Sequence, residues 1–157
     1  MIITFDTSIL VRATTTSKGP ARRVVNAMES TPNMSFFSSY ISGEVGKVLS
    51  YPRMQALFGL SAVEIHGHVK FLRSISRIVE PRRGVLPVVL LDPHDDAVLY
   101  TAVKAGADVL WVMDRHFRGA HVVGICERER YPDHGRCGIA GTTGYDETGT
   151  DGLGPAG

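Results

Sequence analysis

Four carboxylates stand at positions where side chains of this kind could do chemistry together. They follow apolar runs or lie within helical patterns, and they are Asp6, Glu44, Asp95 and Asp114. Acids that converge without an equal number of bases repel one another unless a divalent cation neutralises them. Carboxylate oxygens suit Mg²⁺ or Mn²⁺ better than zinc. Such a site would support metal-assisted attack of water on a phosphodiester.

Each acid also has a simpler structural interpretation. Asp95 and its neighbour Asp96 could cap a helix and complement its dipole. Asp6 could cap the turn at "DTS", and Glu44 could be a solvated acid on an amphipathic helix. The metal-site hypothesis therefore depends on the four acids taken together.

Short apolar runs alternate with helical patterns along the chain. Strands are predicted in "IITF", "MSFFSS", "DVLWVMD" and "AHVVGIC". Helices are predicted in "GPARRVVNAMES", "YISGEVGKVLSYPR", "LSAVEIHGHVKFLRSISRIVEP" and "HDDAVLYTAVKAG". This alternation predicts an α/β fold, with a parallel sheet covered by helices on both faces. Ligands of such sheets bind beyond the carboxyl ends of the strands, where Asp6 and Asp114 lie.

The predicted third helix begins with a capping signal and continues through a basic stretch. Ser61 is followed three residues later by Glu64, the spacing of a capping box. Lys70, Arg73 and Arg77 fall on one face if the helix runs to Val79. Together with Arg53 they are candidate contacts for RNA phosphates, and a solvated helix face is the alternative. His66 and His68 do not share a helical face, so they are poor zinc ligands.

Length and composition predict one folded domain and a tail. The chain has 157 residues, 43% of them hydrophobic, which suits a single core. Eight of the last 26 residues are glycine and few are large and apolar, so 132–157 is predicted to be disordered. The net charge is +1, and the acidic tail leaves +4 on residues 1–131, the predicted folded domain. That charge is compatible with a nucleic-acid partner but is weak support for one.

The compartment is predicted from the cysteines and the first residues. Cys126 and Cys137 are too few for a disulfide framework and lack a second pair at zinc-finger spacing. The opening apolar run is interrupted by Asp6, so it is neither a signal peptide nor a membrane span. We expect a soluble cytoplasmic protein with no membrane partner.

Three stretches together resemble a known family. The order "FDTSILVRA", "SSYISGEVGKVLSYPR" and "LDPHDDAVLYTAVKAGADVLWVMDRHF" is similar to the PIN domain, in particular its toxins of toxin–antitoxin systems, over residues 2–126. The resemblance implies a three-layer α/β/α sandwich with a mainly parallel sheet. It also implies a Mg²⁺- or Mn²⁺-dependent endoribonuclease that prefers single-stranded RNA. As a type II toxin, such a protein would be blocked by a cognate antitoxin protein and would form a homodimer.

The resemblance assigns the acids residue by residue. The four matching acids, which would hold the metal and carry catalysis, are Asp6, Glu44, Asp95 and Asp114. Asp92 and Asp96 could substitute for Asp95 or support it, because the register there is open by one residue. Ser8 stands where the family usually has asparagine; it keeps a hydroxyl but loses an amide donor, and it is a possible supporting residue of the site.

Departures from the family pattern keep alternatives open. The threonine often found shortly before the fourth acid is absent, and Val112 and Met113 stand there instead. Loss of that hydroxyl and of the asparagine at Ser8 favours reduced activity or none. The alternative is therefore a catalytically inactive PIN-fold module that binds RNA or protein. A receiver-like phosphoacceptor would also place acids at strand ends, but it needs a lysine that "DVLWVMDRHF" lacks.

Overall fold

The computed structural model describes residues 1–31, 35–81 and 95–113, and the backbone of a strand at 138–141. Its strands are β1 (Ile3–Phe5), β2 (Ser35–Phe37), β3 (Ser76–Ile78), β4 (Val109–Val112) and β5 (Gly138–Gly141). Its helices are α1 (Thr7–Arg12), α2 (Pro20–Glu29), α3 (Ser39–Leu49), α4 (Pro52–Phe58), α5 (Ala62–Ser74) and α6 (Asp96–Ala105).

The strands form one parallel sheet in the order β3-β2-β1-β4-β5. In its central strand, Ile3, Thr4 and Phe5 are all buried. Because successive side chains point to opposite faces, both faces of β1 must be covered by helices. The predicted α/β fold with a parallel sheet is thus confirmed.

Aromatic packing fixes β1 between its neighbours. The ring of Phe5 meets Phe37 edge-on at 6.3 Å between centroids and stacks against Trp111 at 6.2 Å. The next residue, Asp6, donates its backbone N–H to the Trp111 carbonyl at 2.9 Å. This packing and hydrogen bonding hold the carboxyl end of β1 beside β4 and determine where Asp6 emerges from the sheet.

Local signals at the helix ends match the structure where they are strong. The Ser61 hydroxyl accepts from the Glu64 N–H at 3.3 Å, and the Glu64 carboxylate accepts from the Ser61 N–H at 2.7 Å. This is the predicted capping box of α5. Gly106 ends α6 as predicted, with a φ of 61° that a side chain would oppose.

The third of the predicted helices is shorter than predicted. Helix α5 ends at Ser74, and the chain then enters β3, which pairs in parallel with β2. The Val79 N–H donates to the Phe37 carbonyl at 2.8 Å, so the β-branched residues here extend the sheet and not the helix. Arg77 lies in β3 and does not share a helical face with Lys70.

Two short helices were not predicted. Helix α1 begins immediately after Asp6, in the stretch interpreted as a polar boundary, and it buries Ile9, Leu10 and Val11. Helix α4 begins with Pro52, where a proline lacking an N–H is well tolerated. None of its residues is fully buried, although Met54 and Phe58 pack against the core, and a helix of seven residues is too short for this spacing to be a strong signal.

Several predictions fall beyond the described residues. These are the strand in "AHVVGIC", the acids Asp92 and Asp114, and most of 132–157. Strand β5 is the exception, since it lies within the segment predicted to be disordered and pairs with β4. Backbone hydrogen bonding to a sheet edge supplies an order that composition does not signal. No helix in the described ranges is long and apolar enough to cross a membrane.

Candidate active site

A cleft of about 1170 Å³ lies beside the carboxyl end of β1 and is bordered by α1, α3 and α4. Asp6, Glu44 and Asp95 all line it. Three acids that are far apart in the sequence therefore share one cavity. The fourth, Asp114, follows β4 after Met113, a cleft residue, and lies outside the described part of the chain.

Asp6 is the most buried of the three acids that line the cleft, with 5% of its surface exposed. It occupies the position before the first residue of α1, yet its carboxylate accepts no capping hydrogen bond from that helix. The Ser8 hydroxyl donates to Asp6 Oδ2 instead. A charged carboxylate held this deeply needs such partners, because burial of an unsatisfied charge is costly. Ser8 thus contacts Asp6 and also lines the cleft.

Glu44 lies on the face of α3 that borders the cleft and is not a fully solvated surface acid. Its side chain is 28% exposed and forms an ion pair with Lys47, with 3.3 Å between Oε1 and Nζ. The hydrogen bond and charge of Glu44 raise the pKa of Lys47 above its ordinary value. Lys47 was not predicted as a site residue, although its position one helical turn after Glu44 is the signal that could have found it.

Asp95 stands immediately before α6. It makes no side-chain capping hydrogen bond to the helix, so the simple capping interpretation does not account for it. Asp95 lines the cleft, whereas Asp96 in the first turn is not among the lining residues. Of the two adjacent acids, Asp95 is thus the one that lines the same cleft as Asp6 and Glu44.

Cations line the same cleft as the acids. They are Arg12, Lys47 and Arg53, of which Arg53 is a predicted phosphate contact. Lys70, Arg73 and Arg77 do not line it, and their assignment to RNA stays a prediction. The Arg73 guanidinium donates to the Ser42 hydroxyl at 3.0 Å, a contact that joins α5 to α3.

A family model described as "PIN domain" matches residues 3–116, which is most of the chain. The chain belongs to the PIN domain family. The match includes all three acids of the cleft and Asp114. Searches of curated proteins and of solved structures give no significant match. PIN domains are generally nucleases.

PIN domains typically use divalent metals, and the donor chemistry of this cleft fits one. Carboxylate oxygens such as those of Asp6, Glu44 and Asp95 are hard ligands that suit Mg²⁺ or Mn²⁺. Within the described ranges, however, no group of three His, Cys, Asp or Glu residues is arranged to hold a metal ion. In the described part of the chain, Glu44 is paired with Lys47. The fourth acid, Asp114, lies beyond the described residues.

Val112 and Met113, which stand where PIN domains often have a threonine, have different surroundings. Val112 is fully buried in the core, whereas Met113 lines the cleft. Neither side chain offers a hydroxyl to a water or a phosphate.

The two histidines of α5 lie in different surroundings. His68 is buried and donates a hydrogen bond to the Leu10 carbonyl at 3.0 Å, whereas His66 is exposed.

Proposed function

We propose that this PIN domain is a Mg²⁺- or Mn²⁺-dependent endoribonuclease that hydrolyses phosphodiester bonds of single-stranded RNA. The observation that carries the proposal is that Asp6, Glu44 and Asp95, which are far apart in the sequence, line one cleft. The carboxylate oxygens of these three side chains are hard ligands of the kind that Mg²⁺ and Mn²⁺ prefer. In a domain whose relatives are generally nucleases, phosphodiester hydrolysis is the reaction that such a site supports best.

Each residue has a role in the proposed reaction. The side chains that would hold the ion are Asp6, Glu44, Asp95 and Asp114. When bound, Mg²⁺ or Mn²⁺ makes water a better nucleophile and offsets the charge that develops on the phosphate. Ser8 holds the Asp6 carboxylate in position by donating its hydroxyl hydrogen. Arg12 and Arg53 line the cleft and would contact phosphates on either side of the bond to be cleaved.

Burial of the acids favours a single-stranded substrate. Asp6 is 5% exposed, and the cleft that leads to it is walled by helices. A duplex is too wide and stiff to present its backbone at such depth, whereas a single strand can bend into a cleft and turn its bases outward. The shape of the cleft therefore favours single strands over duplexes.

The proposed biological role is that of the toxin in a type II toxin–antitoxin pair, in the cytoplasm. It is supported by the similarity of the three acidic stretches to toxins of the PIN family. A cognate antitoxin protein and a homodimer are the proposed partners. Growth arrest on induction of the wild-type chain, and its loss in Asp6→Asn, would test the role, and size-exclusion chromatography would test the dimer.

The activity is tested by cleavage of a labelled single-stranded RNA pool with Mg²⁺, Mn²⁺ or EDTA. We expect cleavage with either metal, none in EDTA, and loss of at least about 100-fold in Asp6→Asn and Asp95→Asn. Glu29→Gln is the matched control, because Glu29 is an exposed acid of α2 outside the cleft. Titration calorimetry with Mn²⁺ on the same four proteins measures metal binding apart from cleavage.

The two residues before Asp114 favour a second candidate function. Val112 is buried and Met113 is apolar, so the cleft lacks the hydroxyl usual in this position. The alternative is a catalytically inactive PIN-fold module that binds RNA or protein. Binding of metal and single-stranded RNA by a folded wild-type chain, without cleavage under any metal, would establish the alternative over the nuclease.

A further inference from the structure

One face of α3, continued by the turn that follows it, forms a wall of the cleft. Residues three or four apart on a helix lie on the same side, and this side is turned to the cavity. The residues of this wall that line the cleft are Tyr40, Glu44, Lys47, Val48 and Tyr51. The wall thus runs from a proposed metal ligand to an aromatic side chain at the α3–α4 corner.

The backbone of Tyr51 is held by hydrogen bonds, whereas its aromatic ring is exposed. Its N–H donates to the Val48 carbonyl at 3.2 Å, and its carbonyl accepts from the Met54 N–H at 2.8 Å. The residue is nevertheless 48% exposed. Among the described contacts, its ring meets no other ring and its hydroxyl makes no hydrogen bond. Trp111, another aromatic residue that lines this cleft, is by contrast already stacked on Phe5.

Cations flank the exposed ring. Lys47 lies one helical turn before Tyr51 on the same wall, and Arg53 follows two residues later, and all three line the cleft. Seven residues separate Glu44 from Tyr51, which corresponds to about 10 Å along the helix direction. An extended single strand covers that distance within a few nucleotides. A strand whose phosphate reaches the acids would therefore bring a neighbouring base to the ring.

We propose that Tyr51 is a stacking platform for a nucleobase next to the cleaved phosphate, and that Lys47 and Arg53 contact the phosphates around that base. This inference rests on the proposed function, because it identifies how the same cleft holds its strand. Aromatic rings bind bases of single strands without needing a particular sequence, since every base presents a flat face. Cations beside the ring add an attraction that depends on salt.

The charges favour a nucleic acid over a protein as the occupant of this corner. The cleft already contains three carboxylates, so a strand of phosphates needs compensating cations to approach. Lys47, Arg53 and Arg12 provide them within the same cavity. Val48, Met54 and Leu57 would offer a protein segment apolar contact in this cleft, but such a segment would gain little from three separate cations.

The test measures binding of a labelled single-stranded RNA to the full chain in EDTA, where cleavage is not expected. We expect Tyr51→Ala to weaken binding about 5- to 100-fold, the usual effect of losing one stacked base. Tyr51→Phe keeps the ring and should bind within about twofold of wild type. Tyr51→Leu keeps apolar bulk without a ring and should fall with Tyr51→Ala. Val63→Ala is the control, since Val63 is 81% exposed and outside the cleft.

A scan of single abasic sites along the RNA then separates stacking from other effects. At one position, loss of the base should weaken binding to wild type but not to Tyr51→Ala, because the stack is already absent there. Circular dichroism melts confirm that each variant is folded. A purely structural role for Tyr51 would produce no position-specific coupling.

The possible results distinguish this inference from the proposed function. Wild-type cleavage together with unchanged RNA binding by Tyr51→Ala would overturn the stacking platform and leave the nuclease intact. That result would make a protein partner the better candidate for the corner. Failure of Tyr51→Phe to retain binding would also overturn it, because the ring would then not be the group that matters. A folded wild-type chain that neither binds nor cleaves single-stranded RNA would overturn both proposals.

Discussion

The ammonium of Lys47 lies 3.3 Å from the carboxylate of Glu44, one helical turn away on α3, within the cleft. An acid proposed to hold a metal ion is thus already neutralised by a cation of the same helix. Lys47 is 61% exposed at its side chain, so it can leave Glu44 without disrupting the core. Exchange of Lys47 for an ion would free the ammonium to contact an RNA phosphate.

Lys47→Ala should therefore increase the affinity for Mn²⁺ by up to about fivefold, because the ion no longer competes with the ion pair. RNA binding should weaken in the same variant, since a phosphate contact is lost. Titration calorimetry with Mn²⁺ measures the first effect and a binding titration the second. Lys104→Ala, at an exposed position of α6 outside the cleft, should change neither. An unchanged Mn²⁺ affinity in Lys47→Ala would show that the pair does not compete with metal.

Ser8→Ala should destabilise the fold by about 1 to 2 kcal/mol, because the buried Asp6 carboxylate loses the hydroxyl that donates to it. Urea denaturation measures the change. Ser50→Ala removes an exposed hydroxyl that donates to the Gly46 carbonyl and should cost less than about 0.5 kcal/mol. Equal losses in the two variants would mean that the Ser8 contact does not stabilise the buried charge.

The acids near strand ends could be predicted because their signals are local. "IITF" is a buried run that ends at Asp6, and Asp95 precedes a helix that a glycine terminates. The parallel sheet follows from the alternation of elements, and it brings the ends of β1 and β4 to one edge. The position of Asp6 at the carboxyl end of β1 thus followed from pattern, whereas the approach of the acids to one another depends on side-chain packing.

The features that were missed depend on contacts that no local pattern shows. Arg12 could not be placed in the cleft without α1, which begins where the sequence indicates a polar boundary. Tyr51 lies beyond the end of α3, and its hydrogen bond to Val48 carries the helical turn far enough to bring it to the cleft. The switch from α5 to β3 at Ile75 follows from pairing with β2, a contact distant in sequence. A helix predicted from the spacing of apolar residues alone therefore runs too far, to Val79.

Val112→Thr tests whether the missing hydroxyl can simply be restored. Val112 is fully buried, so the new hydroxyl would enter the apolar core and not the cleft. We expect a loss of about 1 to 3 kcal/mol in the free energy of unfolding and no gain in cleavage. The same exchange at Val63, which is 81% exposed, should cost less than about 0.5 kcal/mol. Higher RNA cleavage in Val112→Thr would contradict this expectation and show that position 112 reaches the reacting groups.

His68 makes the stability of the fold dependent on pH. It is 2% exposed, and its Nε2–H donates to the Leu10 carbonyl at 3.0 Å, which ties α5 to α1. Its Nδ1 is buried and has no hydrogen-bond partner among the described residues. Protonation would place a charge and an unsatisfied donor in the core. Burial, aided by the positive charge of Arg22, accordingly lowers the pKa of His68 below its ordinary value of 6.5.

Since the unfolded chain takes up this proton near pH 6.5 and the folded chain does so only at lower pH, acid favours unfolding. The free energy of unfolding should be level above pH 7 and fall below pH 6.5, by at most about 1.4 kcal/mol per pH unit for this group. His68→Gln can still donate to the Leu10 carbonyl without titrating, so its urea midpoint should fall less steeply between pH 7 and 5. His66→Gln, on the exposed side of α5, should keep the wild-type slope. Identical slopes in wild type and His68→Gln would mean that the buried imidazole does not set the acid sensitivity of the fold.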